Sequence, residues 1–202
     1  MYIYAMDRKG QILEAAKSLF NRLGYSKTSV DDIAKAVGMQ KSSLYYYYKN
    51  KEEMFCCAYV SDWGQIMEEF VNGAEQEENP KEKILMYISQ SLNHYKKVVL
   101  KYNISMRVIL ETRNFFMEVF NEINEKSCEF FEAKIHEGVE MGIFSETNAR
   151  EVAQAILNTK TSIQYDNFMQ FINQEPKEAN FKKINDEVFF TVNLMLEGIS
   201  KK

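Results

Sequence analysis

Only 8 glycines and 2 prolines, Pro80 and Pro176, interrupt the 202 residues. A backbone so seldom broken, in a chain rich in Leu, Glu, Lys, Ala and Met, favours long helices joined by short loops and excludes a many-turned all-β fold. The hydrophobic fraction of 46% and charged fraction of 27% are those of a globular protein, so neither wholesale disorder nor a collagen-like fibre fits. Of the three cysteines, Cys56 and Cys57 are adjacent and badly placed for a shared disulfide in a helix, which points to reduced thiols. There is no run of about 18 apolar residues, as a membrane span would require. The apolar opening Met1–Met6 is too short for a signal-peptide core and meets Asp7-Arg8-Lys9 at once. A cytoplasmic protein without membrane contact is expected.

From Asp7 to Leu23 the residues Ile12, Leu13, Ala16, Leu19, Phe20 and Leu23 share one face of an amphipathic helix, which Gly24 ends with Tyr25 free to fold back. Ser29 is placed to cap a second helix, with Asp31 and Asp32 in its first turn and Val30, Ile33, Ala34 and Val37 inward. Gly38 stops that helix, and a third is predicted from about Gln40 through Tyr48. Helix, tight turn, helix is the helix-turn-helix plan. Leu44 and Tyr48, one turn apart, pack inward and leave Lys41, Ser42 and Tyr46 projecting outward. Tyrosine hydroxyls donate to phosphate, and their rings lie against sugars or thymine methyls. Asn50 is a plausible cap for a fourth helix, with Lys51 in its first turn, where a helix start already favours an anion. The first sixty residues hold nine Lys/Arg against six Asp/Glu, whereas the remainder carries a net −7. A mildly basic head on an acidic body suits a polyanion at that end.

The run Ile12-Leu13-Glu14-Ala15-Ala16, Leu19-Phe20, Gly24-Tyr25, Thr28-Ser29-Val30, Asp32-Ile33-Ala34, Val37-Gly38, Leu44-Tyr45-x-Tyr47-Tyr48 and Asn50-Lys51-Glu52 resembles the N-terminal domain of TetR-type transcriptional regulators over about residues 7–55. Tyr48 stands where that family usually has Phe, and Gln40-Lys41 replaces the commoner Ser-x start of the recognition helix, so a known operator does not carry over. The resemblance implies an all-α fold of about nine helices: a helix-turn-helix DNA-binding domain at 1–53 and a ligand-binding and dimerisation bundle at 54–202. It further implies that Lys41, Ser42 and Tyr46 meet base edges, that Ser43, Tyr45, Tyr47 and Lys51 meet phosphates, that Thr28 and Ser29 approach the DNA backbone, and that Gln40 is among the DNA-binding residues. The implied protein is a repressor on a palindromic double-stranded site, released by a small apolar or aromatic effector.

Beyond Met54 the periodicity predicts helix four over Asn50–Asn72, helix five over Lys81–Leu100 with Pro80 in its first turn, helix six near Ile104–Glu111 and helix seven from about Phe115 to Met141. Ser145-Glu146-Thr147 reads as the capping signal of helix eight, Asn148–Phe171, and helix nine spans Phe181–Ile199. The Met- and Phe-rich middle makes an adaptable wall for an apolar ligand, for which Trp63, Met67, Met106, Phe116 and Tyr165 are the candidates. Val152, Ala155, Ile156, Thr159 and Ile163, with Val188, Phe189, Val192, Leu196 and Ile199, are candidate stripes for a two-fold homodimer through four helices. Glu132, His136 and Glu140 share a face, but no second motif completes a metal sphere, and nothing resembles a phosphate loop or nucleophile elbow. Neither metal nor cofactor is expected, and the competing reading is an all-α carrier or enzyme whose helix-turn-helix is a relic.

Overall fold

The computed structural model describes residues 2–60, 62–170, 175, 177 and 179–201, with side chains described throughout except at 2–7, 60 and 106–120. The helices are α1 (Tyr2–Leu23), α2 (Val30–Ala36), α3 (Lys41–Leu44), α4 (Lys51–Val60), α5 (Trp63–Ala74), α6 (Pro80–Tyr102), α7 (Met106–Glu140), α8 (Ala149–Gln170) and α9 (Phe181–Ile199). The chain is all-α: among the described residues the only β pairing is an isolated antiparallel bridge between Phe144 and Ser200. No described helix is long and apolar enough to cross a membrane.

Local signals account for most of the helix ends. Gly24 closes α1 at φ 81°, a backbone that L side chains rarely adopt. The Ser29 and Asp32 side chains cap each other's backbone N–H in a capping box at the start of α2. Asn50 accepts from the Glu53 N–H at 2.7 Å to start α4, and Asn79 accepts from the Lys81 N–H with Pro80 in the first turn of α6. Asn148, rather than the predicted Ser145-Glu146-Thr147, caps α8, accepting from the Glu151 N–H at 3.3 Å.

Three predicted elements differ. Helix four is broken in two, because the chain leaves helical geometry at Asp62 (φ −101°, ψ 3°), whose carboxylate takes the Lys17 ammonium at 2.6 Å. Helices six and seven are instead one helix of 35 residues, since Arg113-Asn114 carries neither Gly nor Pro to stop it. The third helix is shorter than predicted: regular α geometry ends at Leu44, and Tyr45–Tyr47 form a turn.

Two main cores follow. In the head, Ile12, Ala16, Phe20, Ile33 and Leu44 pack with Met54, Phe55 and Ala58 of α4 and with Ile104, just before α7. The division expected at residue 53 therefore passes through a helix that both halves share. The larger core joins α5 to α9 around Phe70, Ile84, Ile88, Phe131, Ile135, Phe144, Ile156, Val188 and Val192. At the far end Phe144 lies so tightly over Gly138 that an added Cβ there would fall 2.2 Å from its ring.

Candidate functional site

The sequence register places the recognition segment as expected. Leu44 is fully buried and Tyr48 nearly so, while Lys41 and Ser42 are exposed and Tyr46 is 90% exposed. The extra hydroxyl of Tyr48 donates to the Lys9 carbonyl at 3.1 Å, and burial pushes its pKa up to about 12. Tyr45 is exposed and Ser43 and Tyr47 are half-buried at the edge of the same surface. Gln40, also exposed, is the N-cap residue of α3 and makes no side-chain cap bond. The Lys41 ammonium pairs with Asp31 at 2.9 Å, which raises its basicity and holds it on the head's surface.

Two of the candidate DNA contacts are placed differently from the expectation. The Thr28 side chain is buried and its hydroxyl donates to the Gly24 carbonyl at 2.8 Å, so this segment offers Ser29, exposed on the cap of α2. The half-buried Lys51 donates to the Tyr25 and Thr28 carbonyls at 3.0 and 3.1 Å and sits 4.1 Å over the Tyr25 ring. Burial lowers its pKa. Lys51 thus braces the turn that carries Ser29.

From Tyr25 a line of rings leads away from this surface. Tyr25 meets Phe55 edge-on at 5.2 Å, Phe55 lies parallel to Tyr59 at 6.4 Å, and Tyr59 contacts Trp63 at 5.4 Å and His94 at 6.0 Å. Trp63 and His94 meet at 5.6 Å, so the last three rings form a closed triangle between α4, α5 and α6. The C-terminal end of α6 is fastened to the head as well. Tyr25 N–H donates to the Tyr102 carbonyl at 2.9 Å, and the Tyr102 hydroxyl donates to Asn21 at 3.0 Å.

The interior is unusual in its polar atoms. Tyr59 Oη, Trp63 Nε1, His94 Nε2 and Tyr95 Oη are buried without a hydrogen-bond partner. Such groups normally cost free energy unless something satisfies them. Burial raises the Tyr59 and Tyr95 phenol pKa values strongly, and lowers that of His94, reinforced by Lys97 and opposed by Glu69.

Of the candidate ligand residues, Trp63 belongs to this cluster and Met67 is buried in the neighbouring core. Met106 and Phe116 lie outside the described side chains. Tyr165 is a correction: it is 37% exposed, half a helical revolution from the buried Ile156, and faces outward. Tyr59, His94 and Tyr95 were not among the candidates. The i, i+4 spacing of Tyr59 and Trp63 was the one signal available for them.

The dimer stripes need correction too. Ile156, Val188, Val192 and Leu196 are fully buried in the protomer's own core, and α9 instead exposes Phe190 (68%) and Leu194 (54%).

An exposed recognition segment on a helix-turn-helix head, tied by rings and backbone to a helical bundle, defines a DNA-binding regulator. The family model for bacterial regulatory proteins of the tetR family matches residues 12–56. The fatty acid metabolism regulator protein of Bacillus subtilis (strain 168) is 28% identical over 153 residues, covering 74% of this chain and 77% of that protein. Among solved structures, a transcriptional regulator from Cytophaga hutchinsonii ATCC 33406 superposes with a TM-score of 0.72 at 20% identity, over 94% of this chain and 97% of that one. The regulator FadR from Bacillus subtilis in complex with stearoyl-CoA superposes with a TM-score of 0.55 at 22% identity, over 94% and 98%. Residues 12–56 thus match the DNA-binding region of bacterial regulatory proteins of the tetR family, and the chain as a whole shares its fold with solved transcriptional regulators.

Proposed function

We propose that the protein is a dimeric repressor that binds a palindromic operator through two copies of the head and leaves it when an apolar effector enters the bundle. Lys41, Ser42 and Tyr46 read base edges, with Gln40 beside them; Ser29, Ser43, Tyr45 and Tyr47 contact the backbone; Lys51 braces the turn. The boundary between functions lies near residue 53, with α4 serving both sides. The outward pair Phe190 and Leu194 on α9 supplies the apolar face for the second protomer.

The observation that carries the reading is the continuous line Tyr25–Phe55–Tyr59–Trp63/His94, which joins the DNA-facing turn to the interior polar cluster. An effector that fits only one arrangement of Tyr59, Trp63 and His94 biases the spacing of the two heads through α4 and the fastened end of α6. An apolar effector is supported by the name of the B. subtilis fatty acid metabolism regulator and by the stearoyl-CoA held in the B. subtilis FadR structure. Fluorescence anisotropy of the protein on its own upstream DNA, with a scrambled duplex as competitor and a salt titration, tests the DNA half. Specific binding that weakens with salt is expected. Equal affinity for both duplexes would refute it. For the effector half, substitution of Trp63 alters the response to effector and spares DNA affinity in its absence.

A further inference from the structure

The reading surface of the head carries a carboxylate, although a polyanion is to meet it there. Four acidic residues lie between Val30 and Met54. Three of them fix the chain: Asp32 accepts from the Ser29 N–H at 3.0 Å in the capping box, Glu52 accepts from the Tyr25 hydroxyl, and Glu53 accepts from the Lys49 N–H at the start of α4. The Ser29 hydrogen bonds hold the Asp32 carboxyl below its ordinary pKa. Asp31, one residue earlier, has no such duty. Its carboxylate reaches across the turn from α2 to α3 and accepts from the Lys41 ammonium at 2.9 Å, ten residues on. Both side chains stay about half exposed, Lys41 at 48% and Asp31 at 53%. An exposed pair of this kind contributes little to folding, so stability does not account for a carboxylate beside the reading lysine.

On DNA an exposed ammonium meets two kinds of acceptor: phosphate oxygens, which every duplex offers, and guanine O6 and N7, which mark particular base pairs. A carboxylate in contact with that ammonium offsets the first attraction, because phosphates repel the one charge much as they attract the other. It adds to the second. In a G·C pair the cytosine amino group, which a carboxylate accepts, lies next to the two guanine acceptors. An A·T pair sets its amino group between its acceptors, so a lysine spanning adjacent positions there meets a donor. We propose that Asp31 is a specificity-determining residue of the head: while Lys41 donates to the guanine of a G·C pair in each half-site, Asp31 accepts from the amino group of its cytosine, and it weakens binding to every duplex that lacks that pair. The inference rests on the assignment of Lys41 to base edges above and adds the acceptor that works with it.

Selection from random duplexes by the full-length protein and by its Asp31→Ala and Lys41→Ala variants reads this directly, followed by anisotropy on the selected site and on scrambled duplex over a salt series. The unaltered protein is expected to select a G·C pair at one fixed position of each half-site, and both variants to relax that same position. Against scrambled duplex Asp31→Ala binds about three- to tenfold tighter, because Lys41 is left unneutralised near phosphates. Its salt slope steepens there by about one, the mark of one added phosphate contact. The ratio of operator to scrambled affinity falls roughly five- to a hundredfold, the range for one lost base contact. The melting temperature of Asp31→Ala stays nearly that of the unaltered protein, since Asp32 and not Asp31 closes the cap of α2.

A motif that Asp31→Ala leaves unchanged, with operator and scrambled affinities raised alike, would overturn the proposal and make the ion pair a resting contact that DNA replaces. So would relaxation at a different position from the one that Lys41→Ala relaxes, or selection of another base pair at that position. Failure of the DNA-reading assignment looks different. An unaltered protein that selects no motif removes that assignment and this inference together, whereas a motif indifferent to Asp31 removes this inference only.

Discussion

Replacing Phe55 with leucine separates the ring line from the bulk of the head's core. Phe55 is 5% exposed and contacts Phe20, Tyr25 and Tyr102 edge-on, with centroids at 5.1, 5.2 and 5.3 Å, besides lying parallel to Tyr59. Leucine keeps much of the apolar volume but removes three close edge-to-face pairs, each worth about 0.5–1.5 kcal/mol beyond area burial. These pairs share one ring and do not add fully, so the loss is about 1.5–3 kcal/mol. In a chain of this size that lowers the melting temperature by roughly 3–12 °C. The second consequence is functional. Coupling between two sites is typically about 1–3 kcal/mol, seen as a roughly 5- to 150-fold change in DNA affinity on saturation with effector. With the ring line cut at its middle, the ratio of operator affinities with and without effector falls toward one. Effector binding itself, read at Trp63, stays within a few-fold. A lower melting temperature with an unchanged affinity ratio would refute the reasoning, leaving Phe55 as core packing and the coupling elsewhere.

Other perturbations follow from the same structure. Lys41→Ala costs about 1–3 kcal/mol of discrimination between operator and scrambled duplex, measured by competition anisotropy, and changes scrambled-DNA affinity much less. Ser29→Ala removes one arm of the capping box and costs about 0.5–2 kcal/mol in chemical denaturation. Gly138→Ala drives a Cβ into the Phe144 ring, so it destabilises by about 1–3 kcal/mol in the same assay. His94 has its pKa depressed from 6.5 by burial and by Lys97, against Glu69, so the unfolded chain takes up its proton first. Its contribution to stability is present above pH 6.5 and is lost as pH falls through the lower folded value. His94→Phe should flatten the fall in melting temperature over that acid window. Leu194→Glu on the exposed face of α9 is expected to shift the protein toward monomer in light scattering and to weaken operator binding with it.

Much of the head was legible because its signals are local. Gly24 and Gly38 both take positive φ, Ser29 and Asn50 cap, and a 3.6 period sorts Leu44 and Tyr48 inward and Tyr46 outward. The bundle was harder to read where the outcome depends on partners distant in sequence. The break at Asp62 precedes Gly64, which alone does not fix where the helix ends, and it goes with an ion pair to Lys17, 45 residues earlier. The apolar stripes on α8 and α9 read as spare faces in the sequence, whereas in the fold Ile156, Val188 and Leu196 share one core with residues of α6 and α7. Tyr165 has the chemistry of a ligand contact, but its register on α8 leaves it exposed. That His94 stands beside Tyr59 and Trp63 with an unpartnered nitrogen is a fact of tertiary packing.

The central claim, that the head reads a specific duplex as a two-fold dimer, is tested most directly by selecting bound sequences from a pool of random duplexes. The account predicts enrichment of a palindrome whose half-sites are spaced for two recognition segments in successive major-groove faces. It also predicts that Lys41→Ala relaxes the preference at one symmetric base pair in each half. A selection that returns no motif, or a lone half-site bound as tightly as the full palindrome, would contradict it.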